Sequence, residues 1–245
     1  MNRQKLFGFH AVLAVLEHAP ERVMRAWVDG KRDDLKFQAL CGRLTALGIP
    51  IERLDRQALD RLAASSHHQG IVVEVSLPKA LTERELEERQ LGASSWFLVL
   101  DQVQDPHNLG ACLRTCDAVG IGGVIVPKDQ TCGLTPVVCK VACGAAEWVP
   151  IYRVTNLVRT LNRLKEAGFW IVGAASDGEK VLFEADLTGP LALVVGGEGK
   201  GLRRLTREAC DFLVRIPLHG KVESLNLSVA AGILLYEALR QRQYR

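Results

Sequence analysis

Three short stretches of this chain carry residue types suited to chemistry. The first is DPHNLGACLRT (Asp105–Thr115). It places Asn108 as a helix cap and Arg114 inside the helix behind it. Helical spacing puts Cys112, Leu113, Cys116 and Val119 on one buried stripe and leaves Arg114 off it. Gly110 lies one turn earlier on Arg114's face, so an anion or a hydroxyl has room beside the guanidinium. A plain surface arginine would read the same way. The second stretch, VVGGEGKGL (Val194–Leu202), sets four glycines around Glu198. It is not a phosphate-binding P-loop, because Val194 and Gly201 stand where glycine and Ser/Thr are required, and GxGxG is not the dinucleotide fingerprint. What remains is close backbone approach or a tight turn. The third stretch runs from Ile216 to Leu239 and presents Glu223, Ser224 and Asn226. The helix that follows is apolar nearly all round, with Leu227, Val229, Ile233, Leu234, Leu235, Tyr236 and Leu239. One side of it can meet a sheet; the other calls for a second cover, most simply a partner subunit.

The elements around these stretches follow from hydrophobic periodicity. WFLVL (Trp96–Leu100), GVIV (Gly123–Val126), WIVGAA (Trp170–Ala175), LALVV (Leu191–Val195) and FLVRI (Phe212–Ile216) are continuous apolar runs with helical patterns between them. That rhythm predicts a parallel sheet with helices on both faces, whose ligands bind beyond the carboxyl ends of the strands. Each of the three stretches begins where one of these strands ends. Residues 1–75 alternate shorter helix and strand patterns and form a small α/β unit of their own. Residues 76–95, with a proline and a dense charge run, read as a linker. Residues 96–245 then form the second domain.

Composition narrows the field. A net charge of +3 permits an anionic partner such as RNA without requiring one. No run approaches the roughly 20 apolar residues of a membrane span, and the start of the chain lacks a secretory segment, so a cytoplasmic location is expected. Seven cysteines, with Cys112/Cys116 and Cys139/Cys143 at i, i+4, read as small packed thiols rather than a metal site. His67-His68 reads as a solvent or RNA contact. Lys31-Arg32, Arg203-Arg204-Arg207 and Arg240/Arg242/Arg245 could meet phosphates or simply be solvated.

Taken together, NLGACLRT, GGEGKGL and IPLHGKVESLNLSVA, in this order and separation, resemble the three motifs of the SpoU (TrmH-like) family of RNA ribose 2′-O-methyltransferases. GFHAV and HHQGIVV in residues 1–75 extend the likeness to members that methylate a guanosine in the peptidyl-transferase P-loop of 23S ribosomal RNA. The one departure is Gly197 where alanine is usual, which loosens the backbone slightly. The resemblance implies a knotted α/β catalytic domain of the SPOUT type, a small L30e-like domain that grips RNA, a homodimer, and S-adenosylmethionine as methyl donor. It implies Arg114 at the ribose hydroxyl, with Asn108, Glu198, Ser224 and Asn226 orienting it. Gly196, Ile216, Leu218 and Leu225 would line the donor pocket. It implies no metal, and 23S ribosomal RNA or a pre-ribosomal particle as substrate. A family member acting on transfer RNA, or an RNA-binding protein that has lost catalysis, fits less of the sequence.

Overall fold

The computed structural model describes residues 3–197 and 199–243. The chain divides into two compact units, residues 1–79 with 134–148, and residues 80–133 with 149–245.

The smaller unit is built on β1 (Arg3–Phe7), α1 (Phe9–His18), β2 (Val23–Asp29), α2 (Leu35–Ala46), β3 (Ile51–Leu54), α3 (Arg56–Ala63) and β4 (Ile71–Ser76). Its four strands are ordered β1-β4-β2-β3, with only β2 and β3 parallel. The helices start where polar side chains can satisfy free backbone N–H groups: Asp34 accepts from Phe37 N and Asp55 from Ala58 N. Val12, Val15 and Leu16 of α1 and Phe37, Leu40 and Leu44 of α2 pack on Ala26, Val28, Ile71 and Val73 of the sheet. A short helix from the middle of the chain, Pro136–Val141, joins this unit, and the segment behind it is clamped by an ion pair between Glu147 and Arg22. Burial pushes the Glu147 carboxyl up despite that partner.

The larger unit contains β5 (Leu81–Thr82), α4 (Glu83–Glu87), β6 (Trp96–Asp101), α5 (Pro106–Ala118) and β7 (Val124–Pro127). The helix Pro136–Val141, numbered α6, intervenes; β8 (Ile151–Val154), α7 (Leu157–Glu166), β9 (Trp170–Ala174) and β10 (Lys180–Val181) follow. β11 (Leu191–Gly196), α8 (Arg204–Glu208), β12 (Phe212–Arg215) and α9 (Leu227–Gln243) complete it. Among the described residues the sheet has eight strands, ordered β10-β12-β9-β11-β6-β7-β8-β5, every pair parallel. Side chains alternate across a strand, so burial on both faces demands an unbroken apolar run. β11 shows this: Ala192 and Val194 join the cluster with Phe97, Ile125, Leu161 and Phe169, while Leu191, Leu193 and Val195 are also buried. α5 packs on α9, and α9 on β11.

Residues 76–95 were expected as a linker; the structure gives part of that stretch a place in the larger unit. β5 pairs with β8, a Thr82–Glu85 capping box starts α4, and Leu86 is buried in the core. β1, β5 and β8 were not anticipated. Each is short, and Arg3, Lys5 and Arg153 interrupt the apolar signal.

Candidate active site

The cofactor-pocket residues expected from the sequence come together. Gly196, Ile216, Leu218 and Leu225 line one cavity of about 470 Å³, with Ser224 beside them. It lies at the carboxyl ends of β9, β11 and β12, where Ala174, Val195 and Val214 form its floor. Its size is within the range of small-molecule sites, roughly 300–1,000 Å³. The glycine loop folds back on itself: Gly201 N donates to Gly197 O at 3.1 Å. A Cβ at Gly196 would stand 2.1 Å from the Gly201 carbonyl carbon, so any larger residue would force the two arms apart. Leu227 and Ala230 of α9 close the cavity.

Asn226 stands at the N-cap of α9. Its Oδ1 accepts from Ser228 N at 2.9 Å and from Ser228 Oγ at 2.6 Å, and the side chain is exposed. Arg114 and Asn108 are both on α5, Arg114 exposed and Asn108 buried. The cap of α5 is Asp105, whose carboxylate accepts from His107 N at 2.8 Å, with Pro106 in the first turn. Asn108 is therefore inside the first turn and not the cap the sequence suggested. The stripe Cys112, Leu113, Cys116 and Val119 is buried as the periodicity required. Glu198 lies outside the described residues.

One buried residue beside the glycine loop escaped the sequence reading. Asp101 ends β6 fully buried, accepts hydrogen bonds from Arg203 Nε at 2.7 Å and Arg203 N at 3.1 Å, and stands 2.5 Å from Arg203 Nη2 in an ion pair. The pair ties the strand before α5 to the chain leaving the glycine loop. Only its place at a strand end, one residue past an apolar run, hinted at a role. Gly197 also does more than loosen the backbone: a Cβ there would approach Gln102 O to 2.8 Å. Gln102 itself holds a left-handed φ of 70° and pairs its side chain with Gln130.

Other candidates are accounted for by internal contacts. His68 is buried, accepts from Gly70 N at Nδ1 (2.9 Å) and so donates from Nε2 to Asp60 Oδ1 (3.0 Å); it is a loop brace and not a solvent or RNA contact. Of the basic clusters, Arg203 pairs with Asp101, Arg204 with Glu208, Arg207 with Asp177 and Arg240 with Glu237, and Arg242 donates to Ser94 O. Arg245 lies outside the described residues. Burial pushes the Cys139 thiol up to about 11, Cys210 to about 12 and Cys116 well above its ordinary value. Neutral thiols of this kind are poor nucleophiles and poor metal ligands.

A parallel α/β domain with a glycine-walled cavity beyond its strand ends has the layout of a small-molecule site, and α5 packs on the helix that lines it. Residues 95–236 match the SpoU rRNA Methylase family, and residues 5–81 match the RNA 2'-O ribose methyltransferase substrate-binding family. The chain belongs to the SpoU rRNA methylase family. It is 54% identical over 239 residues to the 23S rRNA (guanosine-2'-O-)-methyltransferase RlmB of Shewanella oneidensis, covering 97% of each chain. A crystal structure of an RNA 2'-O ribose methyltransferase is 29% identical and superposes with a TM-score of 0.80, covering 98% of this chain and 88% of the other. The SpoU methyltransferase AviRb from Streptomyces viridochromogenes, crystallised with AdoMet, shares the fold at a TM-score of 0.80 and 24% identity, over 98% and 90% of the two chains.

Proposed function

We propose that this chain transfers a methyl group from S-adenosylmethionine to a ribose 2′-hydroxyl in RNA, the target being a guanosine of 23S ribosomal RNA in the peptidyl-transferase P-loop. The observation that carries the reading is the cavity: Gly196, Ile216, Leu218 and Leu225, far apart in sequence, wall one space at the strand ends. The near-full-length likeness to enzymes named for 2′-O-methylation of a guanosine in 23S rRNA supports that substrate, and the P-loop position rests on the resemblance of residues 1–75. The cavity residues fit such a donor, since the Gly196 cradle admits backbone donors and acceptors close to a flat ring system. When bound, the donor supplies an electrophilic methyl on a sulfonium; no metal is needed.

The protein's part is alignment and charge. Arg114 projects from α5, which packs on α9, the helix that closes the cavity. A guanidinium keeps its proton at neutral pH and makes a poor base. Arg114 therefore stabilises the alkoxide forming at the 2′-oxygen, and a phosphate or water takes the proton. Asn226, fixed by its cap bonds, and Ser224 orient the ribose, together with Asn108 and Glu198. Holding the reacting groups in line can contribute effective molarities of about 10⁵ M or more.

Residues 1–75 would present the RNA, and the protein would work in the cytoplasm on 23S ribosomal RNA or a pre-ribosomal particle. A homodimer is part of the same reading. α9 is covered on one face by α5 and β11, yet Val229 and Tyr236 are half exposed, at 50% and 54%. A second copy would cover them, and sedimentation at micromolar concentration should give a dimer. The catalytic domain would be knotted, the last segment threading a loop to complete the pocket. The deciding experiment is transfer of labelled methyl to a 23S RNA fragment, with the modified position mapped, against transfer RNA as control. Transfer to transfer RNA alone would move the assignment within the family, and transfer to neither would overturn it.

A further inference from the structure

Among the described residues, four charged side chains line the cavity: Asp177, Lys200, Arg207 and Glu223. Two of them already form a pair. Arg207 Nη1 and Nη2 donate to Asp177 Oδ1 and Oδ2, each at 2.9 Å, a parallel fork on a carboxylate. The two side chains are 41% and 66% exposed, and an ion pair that open to water contributes little to folding.

Both partners nevertheless stand on braced backbone. Asp177 is in the turn after β9, where Ala175 N donates to Val214 O (3.0 Å) and Gly178 N to Ala175 O (3.1 Å). Arg215 Nη1 reaches back to Gly178 O at 2.7 Å and Glu179 O at 3.0 Å. The turn sits so close on β12 that a Cβ at Gly178 would be 2.5 Å from the Val214 carbonyl carbon. Arg207 is on α8, which starts directly after Arg203, the residue anchored to buried Asp101. Two opposite charges are thus held rigidly on a cavity wall without serving the fold much. Lys200 and Glu223 are exposed residues of the other two loops, as Asp177 is of its own.

We propose that Asp177 and Arg207 read the amino-acid end of the methyl donor, Asp177 accepting from its α-ammonium and Arg207 donating to its α-carboxylate. This rests on the reading of the cavity as the donor site. Adenine and ribose are uncharged; they would use a carboxylate at most and leave the arginine without a role. An amino-acid zwitterion offers one cation and one anion on adjacent positions, the complement of this pair. Its entry exchanges one ion pair for two, so neither protein charge is left unmatched, the condition under which charges can be drawn out of water.

The test uses the full chain and calorimetric titration with two neutral thioethers. S-adenosylhomocysteine has the amino-acid end; 5′-deoxy-5′-methylthioadenosine lacks it. The wild-type protein should bind the first at least about tenfold more tightly, the scale of one charge-assisted hydrogen bond. Asp177→Asn and Arg207→Gln should each weaken S-adenosylhomocysteine by about tenfold and leave methylthioadenosine within about twofold. Unchanged methylthioadenosine binding is itself the control for an intact fold. Equal weakening of both ligands, or of neither, would overturn the assignment and leave the pair as part of the wall. Binding of neither ligand by the wild-type chain would instead sink the donor-site reading, and this inference with it.

Discussion

Arg203→Ala should be far more damaging than its half-exposed position suggests. Arg203 is 40% exposed, whereas its partner Asp101 is fully buried. Removing the guanidinium takes away the Nε hydrogen bond and the opposite charge, and leaves the carboxylate the Arg203 backbone N–H at 3.1 Å. An uncompensated buried charge costs about 3–5 kcal/mol. Asp101→Asn breaks the same contact from the other side. It keeps the side chain's shape and leaves a guanidinium that water can reach, so about 1–2 kcal/mol is expected. The asymmetry is the point: one contact, two unequal deletions, ranked by which partner is left dry. For a chain of this size 1 kcal/mol moves the melting temperature by roughly 2–4 °C, so Arg203→Ala should lose roughly 10 °C and Asp101→Asn only a few. Because the pair anchors the glycine loop to β6, donor affinity should fall in the same order. Thermal and urea denaturation of the two variants, with calorimetric donor titration, decides it. An Arg203→Ala protein no less stable than Asp101→Asn would refute the reasoning.

Other outcomes follow from named contacts. Arg114→Ala should fold and bind donor normally, since the side chain is exposed, while single-turnover methyl transfer falls about 10²-fold or more; Arg114→Lys should rescue little, having no planar fork. Glu83 is raised by burial but pulled further down by hydrogen bonds from Arg159 and Thr155 N and by the charge of Arg163, so its folded carboxyl titrates below the ordinary 4.5. A depressed carboxyl stabilises the fold above the unfolded value, and that stabilisation is lost as pH falls through the folded one. Glu83→Gln should therefore cost stability at pH 7, and its denaturation midpoint should converge on wild type as pH drops below about 4.5. Leu86→Ala should cost about 2–4 kcal/mol, because the side chain is 3% exposed in the core. By the same contact a fragment starting at residue 90 should melt well below one starting at 80, and equal melting would return residues 81–87 to the role of linker.

The fold was legible wherever burial is two-sided. WFLVL and LALVV announce themselves because both faces of β6 and β11 are covered, so no polar residue interrupts them. β8, IYRV, carries Arg153 at a half-buried position, and β5 is two residues long; neither holds enough apolar residues for a periodicity to register. The transfer of 134–148 to the smaller unit was invisible for a different reason. It is held by contacts with residues far back in the chain, among them packing of α6 on β1, Trp148 on His18 and the ion pair of Glu147 with Arg22, 125 residues apart, and contacts at such range leave no local trace.

The same distinction governs the site. Helix periodicity acts locally, so the buried stripe of α5 could be read from spacing alone; the glycine loop showed only close approach or a tight turn, and its cavity residues came from the family resemblance. Charges act by partner, and partners are non-local. Arg203, Arg204 and Arg207 look like one basic patch in sequence, yet each answers a different carboxylate: Asp101 across the sheet, Glu208 one turn on, Asp177 on a neighbouring loop. The three arginines therefore do not act as one patch: Arg203 is held by a buried carboxylate, whereas the exposed pairs of Arg204 and Arg207 are weak enough to exchange partners with an incoming anion. Arg114 was legible from a local signal: helix spacing put it off the buried stripe of Cys112, Leu113 and Cys116, and the structure leaves it exposed on α5. Its role at the ribose hydroxyl is a matter for the Arg114→Ala turnover measurement, because spacing fixes where a side chain stands and not what it does.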